Sequence, residues 1–258
     1  MARFMRGESV SESGEKSNRL IEGEAGIPLG YCLSAQFYPP ITLDKKLGYE
    51  FAATVSDYIE PDSCEFESTG WELKSEKQGL TIQIGKNRLS LLGENPSGGK
   101  GQEWYEHRYH EVLLRFSERF QPQIALNSTA LIRQLFRIDG DSRDFLAEHV
   151  MNIRPDRFGP LNRPIHLLGM RIAFPPYEAE WREGDETKTD KADWVLELKV
   201  ESWLADPQML FVEADANWHE PMQWNKQTVT TLVNRLQELT SYLSKVRDFL
   251  DHPTGGVE

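Results

Sequence analysis

Cysteine is scarce. Cys32 and Cys64 are the only two in 258 residues, and neither stands in a CxxC or other metal-ligand spacing. A disulfide scaffold and a thiolate zinc site are thereby excluded, and two partly buried, reduced thiols are expected, with one bridge from an early strand to a later one as the alternative. Long apolar runs are missing as well. Nothing approaches the roughly 18 residues of a membrane span, and Met1–Gly30, rich in Ser, Glu and Gly, has no apolar signal core. A cytoplasmic protein with no membrane partner is expected. Positive charge is the minority sign, with 29 Lys and Arg against 41 Asp and Glu and a net charge of −12. An acidic surface repels phosphate backbones, so nucleic acid is disfavoured as a partner unless a local basic patch overrides the average.

Catalytic signatures are also absent. Gly98-Gly99-Lys100-Gly101 lacks the GxxxxGK[ST] spacing of a phosphate loop, no GxGxxG follows a strand, and no nucleophile elbow or HExxH occurs. No cofactor is therefore expected. What the chain has is enough apolar material for a real core: 39% hydrophobic residues and 10% aromatics, with seven Trp and twelve Phe favouring sheet packing. The segment 1–27 has too little apolar surface to offset the entropy of ordering and reads as a disordered tail, as does 253–258.

Between the tails the two halves read alike. In 28–122 a strand near Tyr31–Tyr38 leads to a helix near Leu47–Ile59. Strands near Trp71–Lys77, Leu80–Ile84 and Arg88–Leu92 follow, then a helix near Glu103–Phe120. In 123–252 a strand near Thr129–Ile138 leads to a helix near Arg143–Asn152. Strands near His166–Phe174, Trp194–Leu204 and Gln208–Trp218 follow, then a helix Asn225–Leu250. The strands are called from period-two alternation, as in Tyr31, Leu33, Ala35 and Phe37, and the helices from three-four spacing, as in Leu47, Phe51, Val55 and Ile59. The expected fold is α+β, a tandem duplication of a strand-helix-strands-helix unit with antiparallel sheets under long helices. No flexible linker is expected at Gln123, so the halves should form one body, with one continuous sheet or two facing ones. A tight hairpin with positive φ at Gly85 or Asn87 is expected, and flexible loops at Glu94–Gly101 and at the charged stretch Glu178–Asp193.

The final helix carries an unbroken heptad seam: Val229, Leu232, Leu236, Leu239, Leu243, Val246 and Leu250. It packs internally on the matching helix Glu103–Phe120, or it pairs with a second chain through Leu232, Leu236, Leu239 and Leu243.

Three constellations could carry chemistry. In the hairpin around Asp206-Pro207-Gln208, Glu197, Lys199, Glu201 and Trp203 share a face with Phe211, Glu213, Asp215 and Asn217. With Ala205 opposite Met209, Glu201 faces Glu213 and Lys199 faces Asp215. Opposed carboxylates can share a proton, hold a cation, meet a partner's arginine, or serve hydrolysis; the bland reading is an exposed polar face bridged by Lys199. In the helix near Glu103–Phe120, Glu103, His107, His110 and Glu111 have spacings that could ligate a metal, against a plain polar helix start with Tyr105, Tyr109, Val112 and Phe116 inward. His219, before the last helix, could act as a general base or simply bond to backbone.

The strand Arg133–Ile138, the acidic strand Phe211–Asp215 and the long Leu-rich final helix after a short loop resemble a sporadically distributed bacterial family of uncharacterised proteins. The resemblance covers about half the chain. It implies a cytoplasmic accessory protein and transfers no catalytic residue.

The function expected first is a non-enzymatic binding or assembly protein, with a protein partner or self-association. The second is a hydrolase, or a small-ligand or metal-binding protein, using Glu197, Lys199, Glu201, Glu213 and Asp215. The third is a nucleic-acid accessory factor using Arg133, Arg137, Arg154, Arg157 and Arg163.

Overall fold

A computed structural model describes residues 21–95, 99–153, 163, 165–183 and 186–251. In chain order the first half contains β1 (Ile21–Tyr38), α1 (Lys45–Ile59), β2 (Ser63–Phe66), β3 (Trp71–Ser75), β4 (Leu80–Ile84), β5 (Arg88–Glu94) and α2 (Gln102–Phe120). The second contains β6 (Ile124–Ile138), α3 (Ser142–Phe145) with a π-helical turn (Leu146–Val150), β7 (Gly169–Phe174), β8 (Tyr177–Glu183), β9 (Glu186–Ala192), β10 (Trp194–Ser202), β11 (Met209–Trp218), β12 (Met222–Gln223) and α4 (Lys226–Asp251). The fold is mixed α+β. One large antiparallel sheet runs β2–β3–β4–β5–β1–β6–β11–β10–β7, with β12 also pairing β6. β8 and β9 form a separate two-stranded sheet. No helix among the described residues is long and apolar enough to cross a membrane.

The two halves meet in one continuous sheet because β1 pairs with β6 over nearly its whole length, Cys32 opposing Leu131 and Ser34 opposing Thr129. α2 ends at Phe120 with Gln121 in the left-handed region, Pro122 cannot extend it, and β6 starts at Ile124. Alternation then decides which side is dry. Tyr31, Leu33, Ala35 and Phe37 of β1 face the helices with Ala130, Ile132 and Phe136 of β6 and Leu210, Val212, Ala214 and Ala216 of β11. All four helices contribute to this one core, so they lie on one side of the sheet. Rings lock the layers: Phe116 packs on Phe37 (5.1 Å), Phe51 (6.2 Å) and Trp224 (6.0 Å). The buried Tyr109 hydroxyl donates to the Tyr31 carbonyl at 2.5 Å, joining α2 to β1.

α4 starts with a reciprocal cap. Asn225 Oδ1 accepts the Thr228 amide at 3.0 Å and Thr228 Oγ1 accepts the Asn225 amide at 3.3 Å. Every position of its heptad seam is buried within the single chain; Leu232, Leu236 and Leu239 are 0% exposed and Leu243 is 2%. The seam lies on α2, β1, β6 and β11. The expected self-association through these four leucines is corrected by that packing, because the chain's own sheet and helix already fill the seam. Beside it Arg235 is buried as well, its guanidinium on Ser128 Oγ and 4.8 Å from the Trp218 ring centre.

Several expectations change. Order reaches back to Ile21, inside the segment read as a tail, because its side chain is buried and its amide donates to the buried Asp251 carboxylate at 2.8 Å; residues 1–20 lie outside the described ones. Neither Gly85 nor Asn87 takes positive φ. Instead, the Lys86 and Asn87 carbonyls accept the Ile41 and Phe37 amides at 2.7 and 2.9 Å, so the exit of β1 holds the turn. Asn95 is buried and bonded at both ends to Lys100, which pins the flanks of the Glu94–Gly101 loop; 96–98 are outside the described residues. The helix read through Arg143–Asn152 widens after four residues into the π turn. Its widened ladder (Met151 amide to Leu146 carbonyl, 2.8 Å) accompanies the burial of three residues in succession, Phe145, Leu146 and Ala147. Glu178–Asp193 is no loop: β8 and β9 pair through it, with Glu178 opposite Lys191. The edge strand β2 was not foreseen; its four residues are too short and too exposed to show a period.

Replacing Leu236 by Ala should cost about 2–5 kcal/mol, since a fully packed methyl cluster leaves a cavity. The melting midpoint should fall by the same amount at every protein concentration, with molecular mass by light scattering unchanged.

Candidate binding face of the sheet

The side of the sheet away from the helices carries the other half of each alternating strand. On it lie Ser90 and Leu92 of β5, Cys32 and Ser34 of β1, and Thr129, Leu131 and Arg133 of β6. Glu213, Asp215 and Asn217 of β11 and Glu197, Lys199 and Glu201 of β10 continue it. Among the described residues no helix covers this side.

The structure brings the five candidate residues Glu197, Lys199, Glu201, Glu213 and Asp215 together on this face, but in another register. Lys199 opposes Glu213, Glu201 opposes Phe211, and Glu197 opposes Asp215. The expected Glu201–Glu213 carboxylate pair is therefore not formed. The turn is longer than foreseen: the Trp203 amide bonds the Met209 carbonyl at 2.9 Å, and Asp206 accepts the Gln208 amide at 2.9 Å around Pro207, which cannot donate. The slip is by an even number of residues, so the faces are kept and only the partners change.

Partners from strands outside the hairpin convert an acidic face into a charge-alternating one. Arg133 Nε meets Glu213 at 2.6 Å, Arg171 is in contact with Glu197, and Lys199 meets Glu201 at 2.9 Å. Arg137 bonds the Gln208 side chain at 3.0 Å and lies 3.6 Å from Asp206. Such half-exposed pairs contribute little stability each, about 0–1 kcal/mol, but they fix where the charges sit. Asp215 has no such cation. Burial pushes its carboxyl above the ordinary range, Glu213 and Glu197 push the same way, and only the Asn217 amide (3.1 Å) and the more distant Arg133 pull back. Cys32 is half-buried and its thiol is likewise raised by burial; Cys64 is exposed on edge strand β2, and the two are free rather than bridged.

Toward one end of the face, Leu135, Met209 and Phe211 cluster with Leu29 and Trp203, the Trp203 and Phe211 rings stacking at 5.5 Å. Ile27 opposes Leu135 there and is 41% exposed. At the centre are two adjoining depressions of about 300 and 310 Å³. Ser34, Arg88, Thr129 and Asp215 line both; His219 stands at the rim of the first and Cys32 lines the second.

The other candidates do not assemble. Tyr105, Tyr109, Val112 and Phe116 turn inward from α2, and His110 lies 3.5 Å from its neighbour Glu111. Among the described residues no group of three or more His, Cys, Asp or Glu comes together to hold a metal. Arg133 and Arg137 are engaged by acids; Arg154 and Arg157 lie outside the described residues. Sequence reasoning missed Arg88, Ser34, Thr129 and Arg171. Their signal is the polar half of each alternating strand, which the sequence places on one face without showing which strands lie side by side. No protein-family model matches the chain, and no curated protein matches it significantly.

Asp215 yields a test with a definite sign. Its raised folded pKa means that the charged form is disfavoured by folding, a penalty present at neutral pH, relieved as pH falls through the raised folded value and gone below the usual carboxyl value of 3.8. Asp215→Asn keeps an acceptor for Asn217 without the charge. It should raise the melting midpoint at pH 7 by about 1–3 °C, with the advantage shrinking toward zero as pH drops to about 3.5.

Proposed function

We propose that this chain is a non-enzymatic binding or assembly protein that engages its partner on the open face of the sheet. The observation that carries the reading is the asymmetry of that sheet. One side is filled by four helices, while the other presents a small apolar cluster beside a ladder of fixed ions. An apolar core flanked by ordered charge is the composition of a recognition surface. The resemblance to a bacterial family of uncharacterised accessory proteins is in keeping with a cytoplasmic role. We further infer that the two halves are copies of one unit. In support, the first strand of each lies beside the last of its group and the others follow outward in reverse order, β1–β5–β4–β3 and β6–β11–β10–β7. A small-ligand role is the second reading, favoured by the unpaired, half-buried Asp215 in a depression.

The test uses capture from extracts of the native host. A variant carrying Ile27→Asp and Arg171→Glu alters the open face; Lys46→Glu on α1 alters the helical side. Both should melt within about 2 °C of wild type, as surface substitutions do. The partner should be retained by wild type and by Lys46→Glu and lost by the face variant. Equal retention by all three would place the interaction elsewhere and end the reading.

A further inference from the structure

Two ions of opposite sign line the same 300 Å³ depression without an ionic partner among the described residues. Arg88 touches only the Ser34 hydroxyl, at 3.4 Å, and Asp215 only the Asn217 amide. Their neighbours on the face pair off: Arg133 with Glu213, Arg171 with Glu197, Lys199 with Glu201. Arg88 and Asp215 cannot pair with each other. They stand on β5 and β11 with β1 and β6 between them, three strand spacings, or about 14 Å between backbones. The floor between them is polar and already tied down. Asn127 donates to Gln36 at 2.9 Å and Thr129 Oγ1 donates to Asn217 Oδ1 at 2.8 Å, which leaves the Asn217 amide turned to Asp215. A trough with a guanidinium at one end and a carboxylate at the other is matched by a ligand with the reverse polarity.

The geometry points to a short zwitterion of dipeptide size, its ammonium on Asp215 and its carboxylate on Arg88. This inference rests on the open face being the binding face. Arg88 reaches inward to Ser34 on β1, so its guanidinium and the Asp215 carboxylate are separated by about two strand spacings and two residues along the strand, roughly 12 Å. A hydrogen-bonded contact of about 2.9 Å at each end leaves about 6 Å between the ligand's own charges. One peptide unit between two Cα atoms (about 3.8 Å) spans such a gap with its terminal groups added, and a free α-amino acid does not. Arg88 has the planar fork that takes a carboxylate in two parallel bonds, and the hydroxyls of Ser34 and Thr129 stand beside the path of the ligand backbone. Release of the charge penalty on Asp215 adds to binding, because an ammonium restores what burial removed.

The experiment is calorimetric titration of the full chain at pH 7 with the dipeptides Gly-Gly, Ala-Ala, Ala-Glu and Ala-Lys. Glycine, N-acetyl-Ala-Ala and Ala-Ala-amide serve as comparisons. At least one dipeptide should bind in the millimolar range or tighter, and acetylation or amidation should each weaken binding at least about tenfold. In Asp215→Asn, free and acetylated peptides should bind alike; in Arg88→Gln, free and amidated peptides should bind alike. Both variants should keep the wild-type melting midpoint or exceed it. No heat from any dipeptide at about 10 mM, or equal binding of the blocked peptides to wild type, would overturn the inference. If that happens while the Ile27→Asp/Arg171→Glu variant still loses its protein partner, only the zwitterion is removed. If the partner is indifferent to the face variant, the wider reading falls whatever the peptides do.

Discussion

The antiparallel pairing of β1 with β6 is the constraint from which the other features follow. Each half brings a meander whose first strand lies innermost, and joining the two innermost strands makes a single wide sheet. Side chains alternate across a strand, so once Tyr31, Leu33 and Ala35 face one way, every apolar position in register with them must do so too. Both long helices are then required on the same side. α2 comes down over β1 through Tyr109 and Phe116, and α4 lies across β1, β6 and β11 with its whole seam inward. Two facing sheets would have shared the apolar surface between them; one sheet instead concentrates it under the helices and leaves the other side bare.

A bare sheet face in water has its own requirements. Its residues must be soluble, and it must not adhere to any passing chain. The ion ladder meets both. Arginines from β6 and β7 neutralise carboxylates from β10 and β11, so the face is nearly balanced in charge although the chain as a whole carries −12. The acid excess therefore lies largely elsewhere, where it supports solubility. If the face binds a partner as proposed, the position of its charges and not bulk attraction would set its selectivity.

Much of the fold was legible because periodicity survives without knowledge of partners. The alternation of β10 and β11 identified Leu196, Leu198, Val200, Val212, Ala214 and Ala216 as core, and the seam of α4 identified its buried stripe. What failed was whatever depended on a partner. The hairpin register hinged on a turn whose length is set by Pro207 and the Asp206 side chain, and a slip there changes every cross-strand neighbour while sparing the face. The seam signalled burial but left two covers open, the helix Glu103–Phe120 or a second chain; in the structure it packs on that helix and on β1, β6 and β11. The π turn after α3 answers to three consecutive buried side chains, a demand made by the core. The β8–β9 pair was hidden by charge, which overshadowed the strand-favouring Thr187 and Thr189.

The same distinction explains why the candidate site was found in outline and misread in chemistry. Glu197, Glu201, Glu213 and Asp215 were visible as one acidic face because they share a parity on two adjacent strands. Whether a carboxylate is paired is decided by residues on a neighbouring strand that lie many tens of positions away in sequence, such as Arg133, directly opposite Glu213 but 80 residues before it. Long-range pairing left Asp215 as the half-buried member of the set without a cation, although nothing in its local sequence sets it apart from Glu213 two residues earlier. A carboxylate held partly out of water with only an amide for company is costly to maintain. Arg133, Arg171 and Lys199 answer the other carboxylates of the face, so Asp215 and Arg88 are the ions that the described residues leave without an ionic partner, and it is on this pair that the proposed ligand site rests.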